Sequence, residues 1–156
     1  KNAPQRILVL DAAKKLLTPH HVIASYMPIH HELENTKLHE WIWQQGKILC
    51  LPKIKGELLE FREYHAGDIL MEHNKFPVLE PQNGKIHTQI DAMLIPSLAL
   101  DTEYKRLGYG GGYYDKTIPT LPSISVLIGV TDTIVSSIYA QKYDIAMHHV
   151  ISGDDV

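Results

Sequence analysis

The amino-acid sequence predicts one α/β domain built in three layers, with a mostly parallel sheet and helices on both faces. Apolar stretches of strand length alternate along the chain with stretches of helical spacing. The two most apolar strand-like runs, Gln89 to Ile95 and Ser123 to Val130, read as buried strands, as expected in a sheet covered on both sides. A length of 156 residues is that of one domain, and no repeat, low-complexity tract or interdomain linker divides it. Residues 1–156 are therefore expected to form a single domain.

Each element follows from local pattern. Arg6 to Leu17 has apolar residues at 7, 8, 12, 13, 16 and 17, close to helical spacing, and Thr18-Pro19 ends it. His21 to Met27 reads as a short strand. Asn35 to Gln45 is helical, with Leu38, Trp41 and Ile42 on one face and Gly46 placed to end it. Lys47 to Leu51 is an apolar strand closed by Pro52. Glu57 to Tyr64 alternates and is a half-exposed strand. Ile69 to Gly84, with Pro77 and Pro81, is expected to be loop. Gly112 to about Ile118 starts a short helix. Thr133 to Gln141 is expected to be helical despite its β-branched residues, and Met147 to Ile151 is a last strand.

Composition narrows the function classes. Hydrophobic residues make up 44% of the chain and charged residues 21%, ordinary values for a globular protein. A net charge of −3 supplies no basic field, so nucleic acid is not an expected partner. The single cysteine, Cys50, has no internal disulfide partner, which fits a reducing compartment and an expected cytoplasmic location. No apolar run approaches a membrane span and no signal peptide is visible, so no membrane partner is expected. A monomer is expected. The chain begins at Lys1 rather than Met, and further residues are expected to precede it.

The most informative stretch runs Arg106-Leu107-Gly108-Tyr109-Gly110-Gly111-Gly112-Tyr113-Tyr114-Asp115, with four glycines in five positions. Glycines gather where backbone must take positive φ or approach a ligand closely. Successive N–H groups in such a loop form an anion-binding concavity, and a following helix adds partial positive charge. Arg106 can offer a phosphate a two-pronged charge, and Asp115 a carboxylate oxygen to magnesium. The spacing is neither that of a Walker A loop nor that of the dinucleotide fingerprint. On these residues alone two readings stand: a nucleotide-phosphate site, or a Gly-rich turn with two packed tyrosines.

The surrounding order of motifs resembles the 5-formyltetrahydrofolate cyclo-ligase family, also called methenyltetrahydrofolate synthetase. Ile90-Asp91-Ala92-Met93-Leu94-Ile95-Pro96 precedes the glycine loop, as in the family's strand and "RLGxGxGYYDR" segment, with Lys116 in the final place. Tyr26-Met27-Pro28 with Glu32-Leu33-Glu34 is similar to its "Y-x-P…E-V-D/E-T" segment. Leu79-Glu80-Pro81 and Tyr143-Asp144 before Val150-Ile151 match two further segments in order.

The resemblance implies a Rossmann-like fold of the sugar-phosphate isomerase/CoA-transferase kind. It also implies an ATP- and Mg2+-dependent closure of 5-formyltetrahydrofolate to 5,10-methenyltetrahydrofolate. On that basis Arg106, Leu107, Gly108, Tyr109, Gly110, Gly111, Gly112, Tyr113 and Tyr114 bind the nucleotide, with Arg106 and Tyr114 at the reacting groups. Asp115 and Asp144 hold the metal, and Met27 and Glu32 hold the folate. The family's opening Lys…Arg cluster has no secure counterpart, and no phosphate role is carried onto Lys1 or Arg6.

Each assignment has a plainer rival. Asp115 suits the first turn of any helix; Asp144 can be a turn residue, Glu32 a solvated charge and Met27 core. Glu80 is expected to be structural. The pairs His20-His21, His30-His31 and His148-His149 have no metal-binding spacing. Trp41 and Trp43 read as helix packing plus one exposed ring. Two other function classes fit the same scaffold. One is an isomerase or CoA-transferase-like enzyme using Glu32 or Glu80, and the other is a non-catalytic nucleotide-binding module.

Overall fold

The computed structural model describes residues 6–29, 32–97, 99–101, 103–104, 106–107, 112–122, 124–135 and 145–154, with backbone alone at 99, 101, 106, 107, 135 and 154. Ile7–Leu8 is a short strand (β1), and the helix α1 covers Leu10–Leu17. α1 buries Ala13 and Leu17, carries Asp11 in its first turn, and carries Lys14 and Lys15 in its last. Thr18 Oγ1 donates to the Lys14 carbonyl at 2.6 Å and closes the last turn. β2 (Val22–Ala24) leads to helix α2 (Thr36–Gln44). α2 buries Leu38 and Ile42, each such side chain contributing about 1.5–3 kcal/mol of burial. Gly46 follows with φ of 71°, the left-handed turn that its residue type supplies most easily.

β3 (Ile48–Lys55) and β4 (Leu58–Glu63) form a hairpin, and β5 (Leu70–Glu72) and β6 (Leu79–Pro81) form a second, smaller one. β7 (Ile86–His87), β8 (Ala92–Pro96), β9 (Ala99–Asp101) and β10 (Arg106–Leu107) follow. The short helix α3 is Tyr113–Thr117, continued by a tighter turn at Ile118–Thr120. β11 (Val126–Val130), β12 (Ile134–Val135), β13 (His149–Ile151) and β14 (Gly153–Asp154) complete the described chain.

The main sheet has seven strands in the order β13-β11-β8-β2-β3-β4-β7. The pairings from β13 through β3 are parallel, and β4 and β7 are added antiparallel at one edge. This is the mixed but mostly parallel sheet expected. Alternation along each strand splits the core in two. Ile23, Leu49, Ala92, Leu94, Ile128 and Val130 face α1 and α2. Ala24, Cys50, Met93, Ile95 and Leu127 face the side carrying Tyr114 and Ile118.

Four elements differ from expectation. β3 is not closed by Pro52 but runs on to Lys55, held by its antiparallel pairing with β4. Residues 7 and 8 are not the start of α1 but a strand, because Ile7 and Leu8 pair with Asp154 and Gly153 from the far end of the chain. The 69–84 segment is not bare loop: β5 pairs with β6, and buried Glu80 accepts the Ile54 N–H at 2.7 Å, pinning the hairpin to β3. Ile134 and Val135 are strand, not helix, in parallel register with Leu100 and Asp101; residues 136–141 lie outside the described residues.

The amino ends of the strands are tied by Asp91. Its Oδ2 accepts the N–H groups of Val22 at 2.8 Å and His21 at 3.0 Å. The Val22 bond is the main cause that holds its carboxyl below the usual range; burial opposes this, and His20 and His21 add to it. A depressed folded pKa contributes stability at pH above the ordinary carboxylate value of about 3.9, and loses it as pH falls through the folded value. Asp91→Ala is therefore expected to lower stability by roughly 1–2 kcal/mol at pH 7. Urea unfolding should show that difference shrinking as pH drops below about 4; a pH-independent difference would assign the loss to packing instead.

Candidate functional site

Because the central strands are parallel, their carboxyl ends open at one edge, where ligands of such sheets bind. Beyond β2 the chain runs Ser25-Tyr26-Met27-Pro28, and a polar network fixes it. The Tyr26 hydroxyl donates to the Leu33 carbonyl at 2.6 Å, and Asn35 Nδ2 donates to the Tyr26 carbonyl at 2.8 Å. Ser25 Oγ lies 2.7 Å from His39 Nε2. Glu32 is buried, and its Oε1 accepts the Ile29 N–H at 2.8 Å, closing the turn after Met27.

Of this framework Met27, Pro28, Asn35 and His39 line a cavity of about 310 Å³, together with Glu34, Trp43 and Tyr64; Glu32 is not in its lining. The Trp43 and Tyr64 rings pack at 5.8 Å, and the Trp43 indole N–H donates to the Tyr64 carbonyl at 3.0 Å. Burial pushes the His39 imidazole down to about 4 against the opposing pull of Glu34, so the ring is neutral at pH 7. Cys50 lies in the sheet, where burial first and Glu63 second push its thiol up to about 12. It is therefore no nucleophile at neutral pH.

The described residues that follow the glycine motif lie on the other face. β9 follows the carboxyl end of β8, and Arg106 and Leu107 pair back onto Leu100 and Ala99. Gly108, Tyr109, Gly110 and Gly111 lie outside the described residues. Gly112 precedes α3 with φ of 66°. Tyr114 packs with Ile118 against the second core, so of the two tyrosines it is the one tied to the sheet. The Tyr113 ring meets Phe76 of the 69–84 segment edge-on at 6.1 Å. Asp115 lies half-buried in the first turn of α3. Thr117 Oγ1 accepts the Leu59 N–H at 2.8 Å, anchoring α3 beside the hairpin of β3 and β4. The Met27 cavity and α3 thus flank the sheet from opposite faces.

Asp144 lies outside the described residues. Among the described residues no group of three His, Cys, Asp or Glu side chains could hold a metal. A carboxylate such as Asp115 supplies the oxygen ligand that Mg2+ prefers, in the company of waters and phosphates rather than a full protein cage. Arg6, to which the sequence assigned no phosphate role, pairs with Asp132 at 2.7 Å and donates to the Gly153 carbonyl at 2.8 Å. Among the described residues no helix is long and apolar enough to cross a membrane.

The sequence motifs give His39 and Tyr64 no role, name Glu34 only within Glu32-Leu33-Glu34, and mark Trp43 only as helix packing or an exposed ring. One signal was present: Asn35, His39 and Trp43 are spaced i, i+4, i+8 and share one face of α2.

The profile of the 5-formyltetrahydrofolate cyclo-ligase family matches residues 4–153. A 5-formyltetrahydrofolate cyclo-ligase of Mycolicibacterium smegmatis is 26% identical over 142 residues, 83% of this chain and 72% of that protein. The Escherichia coli protein of the same name is 32% identical over 105 residues, 63% of this chain and 57% of that protein. Among solved structures, the Aquifex aeolicus 5,10-methenyltetrahydrofolate synthetase superposes with a TM-score of 0.77 at 26% identity. That likeness covers 92% of this chain and 75% of the other.

Proposed function

The chain belongs to the 5-formyltetrahydrofolate cyclo-ligase family, and from that premise we propose that this domain converts 5-formyltetrahydrofolate to 5,10-methenyltetrahydrofolate at the expense of ATP. The observation that carries the proposal is the extent of the family match. It spans residues 4–153 and so takes in both the Met27 cavity and the 106–115 motif.

A formamide carbon is a weak electrophile, and its oxygen is a poor leaving group. In the proposed reaction the formyl oxygen attacks the γ-phosphorus of ATP, and ADP leaves. The substrate then carries an iminium phosphate. N10 attacks the activated carbon, the C–O bond breaks, phosphate departs with the formyl oxygen, and N10 loses its proton. The protein's contribution is positioning and charge stabilisation. In this reading Arg106 and the 107–112 backbone grip the phosphates, and Tyr113 and Tyr114 flank them, with Tyr114 near the reacting group. Asp115 and Asp144 would hold Mg2+, which when bound neutralises phosphate charge. Met27 forms an apolar wall for the pterin, and Glu32 accepts from its N–H groups.

The test is optical. The methenyl product is a conjugated amidine cation that absorbs in the near ultraviolet, whereas the formyl substrate lacks that band. The band should grow only when ATP, Mg2+ and 5-formyltetrahydrofolate are all present. ATP binding without the band would favour a non-catalytic nucleotide-binding module. Turnover of a sugar phosphate or CoA ester would favour the other enzyme class.

A further inference from the structure

We infer that His39 is a specificity-determining residue of the cavity. Its Nδ1–H donates to a ring carbonyl oxygen of the bound heterocycle, while the Glu34 carboxylate accepts from the adjoining ring N–H. The inference rests on the reading that the cavity takes the reduced pterin of 5-formyltetrahydrofolate.

Hydrogen-bond accounting fixes the tautomer. Asn35 Nδ2 is oriented by its bond to the Tyr26 carbonyl, and it also donates to Ser25 Oγ at 3.4 Å. The buried Ser25 hydroxyl needs an acceptor for its own proton, and His39 Nε2 stands 2.7 Å away. Nε2 therefore accepts, and the single proton of the neutral ring sits on Nδ1. Among the described residues no acceptor pairs with Nδ1, and His39 lines the cavity. A donor facing a cavity of this size is matched when a ligand brings an acceptor.

Glu34 lines the same cavity, and its charge reaches His39. Its Oε1 accepts the Thr36 N–H, which fixes the carboxylate at the start of α2. One wall thus offers a neutral donor beside an anionic acceptor. The oxo-pyrimidine ring of a reduced pterin presents the complement: a carbonyl oxygen next to N–H and amino donors. Met27, Trp43 and Tyr64 supply apolar walls for a flat ring. Adenine also has an acceptor beside a donor, so the experiment reads the two substrates separately.

Two substitutions divide the imidazole between its nitrogens. His39→Asn keeps an amide N–H near the Nδ1 position and gives up Ser25. His39→Gln keeps a group near the Nε2 position and leaves nothing at Nδ1. His39→Gln should raise the KM for 5-formyltetrahydrofolate about tenfold, leave the KM for ATP within about twofold, and unfold in urea close to wild type. His39→Asn should keep the folate KM within about threefold while unfolding at lower urea. The reverse ranking, a loss that tracks stability, or a defect in the KM for ATP would overturn the inference. A substrate analogue with an amino group in place of the ring carbonyl turns that acceptor into a donor and removes the adjoining ring proton, so it tests the His39 and Glu34 contacts together on the unaltered protein. It should bind about tenfold more weakly than the parent, and equal binding would also overturn the inference. An inactive wild type would instead overturn the functional reading; unchanged His39→Gln kinetics beside an active wild type would overturn only this inference.

Discussion

Replacing Gly112 by valine should weaken ATP binding by roughly 5- to 150-fold while leaving the seven-stranded sheet folded. Gly112 stands at the entrance to α3 with φ of 66° and ψ of 19°. A β-branched residue in that left-handed region is strained by about 1–3 kcal/mol, and the strain is relieved by shifting the backbone that enters α3. The core is spared: a Cβ at Gly112 would meet only Lys116 Cε, at an ordinary 3.7 Å. Gly112→Asn is the control, because asparagine tolerates the left-handed region and should retain most binding. Calorimetric titration with a non-hydrolysable ATP analogue reads both variants. Unchanged affinity in the folded valine variant would move the nucleotide site away from this turn.

Glu32→Gln should cost folate binding about 1.5–3 kcal/mol, the worth of a charge-assisted hydrogen bond, and leave ATP affinity nearly untouched. Glutamine keeps the oxygen that accepts the Ile29 N–H at 2.8 Å, so the turn after Met27 should survive. What changes is the charge of a side chain that is only 7% exposed, where weak screening makes a lost charge felt strongly. A carboxylate there can accept from the N–H-rich pterin and would repel phosphate. Separate titrations with 5-formyltetrahydrofolate and with an ATP analogue decide the matter. An ATP defect beside intact folate binding would reassign Glu32 to the metal and nucleotide.

What the sequence disclosed and what it hid differ in range. β8 and β11 announce themselves because strands buried on both faces leave an unbroken apolar run, and α2 because Leu38 and Ile42 recur at helical spacing before Gly46. Three of the misread segments depend on distant partners. Ile7 and Leu8 look helical beside Ala12 and Ala13, yet pair with Gly153 and Asp154. Ile134 and Val135 have the β-branched chemistry of a strand, and β9 supplies the partner. The 69–84 segment gains a hairpin whose anchor, Glu80 to Ile54, crosses 26 positions.

The candidate site divides in the same way. Met27, Glu32 and the glycine motif stand out because their residue types and order are unusual. His39 and Tyr64 became visible only when α2 and the end of β4 met over one cavity. His39 in particular sits on a largely apolar helix face, where its bond to Ser25 could pass for simple core satisfaction.

The most direct measurement follows the formyl oxygen. 5-Formyltetrahydrofolate carrying a heavy-oxygen label in its formyl group is incubated with the protein, ATP and Mg2+, and the phosphate released is weighed by mass spectrometry. If ATP activates the formyl group by phosphorylating its oxygen, each phosphate formed should carry one labelled atom, in step with ADP and the methenyl product. Unlabelled phosphate with the label released into water, or methenyl product formed without ATP, would contradict the account.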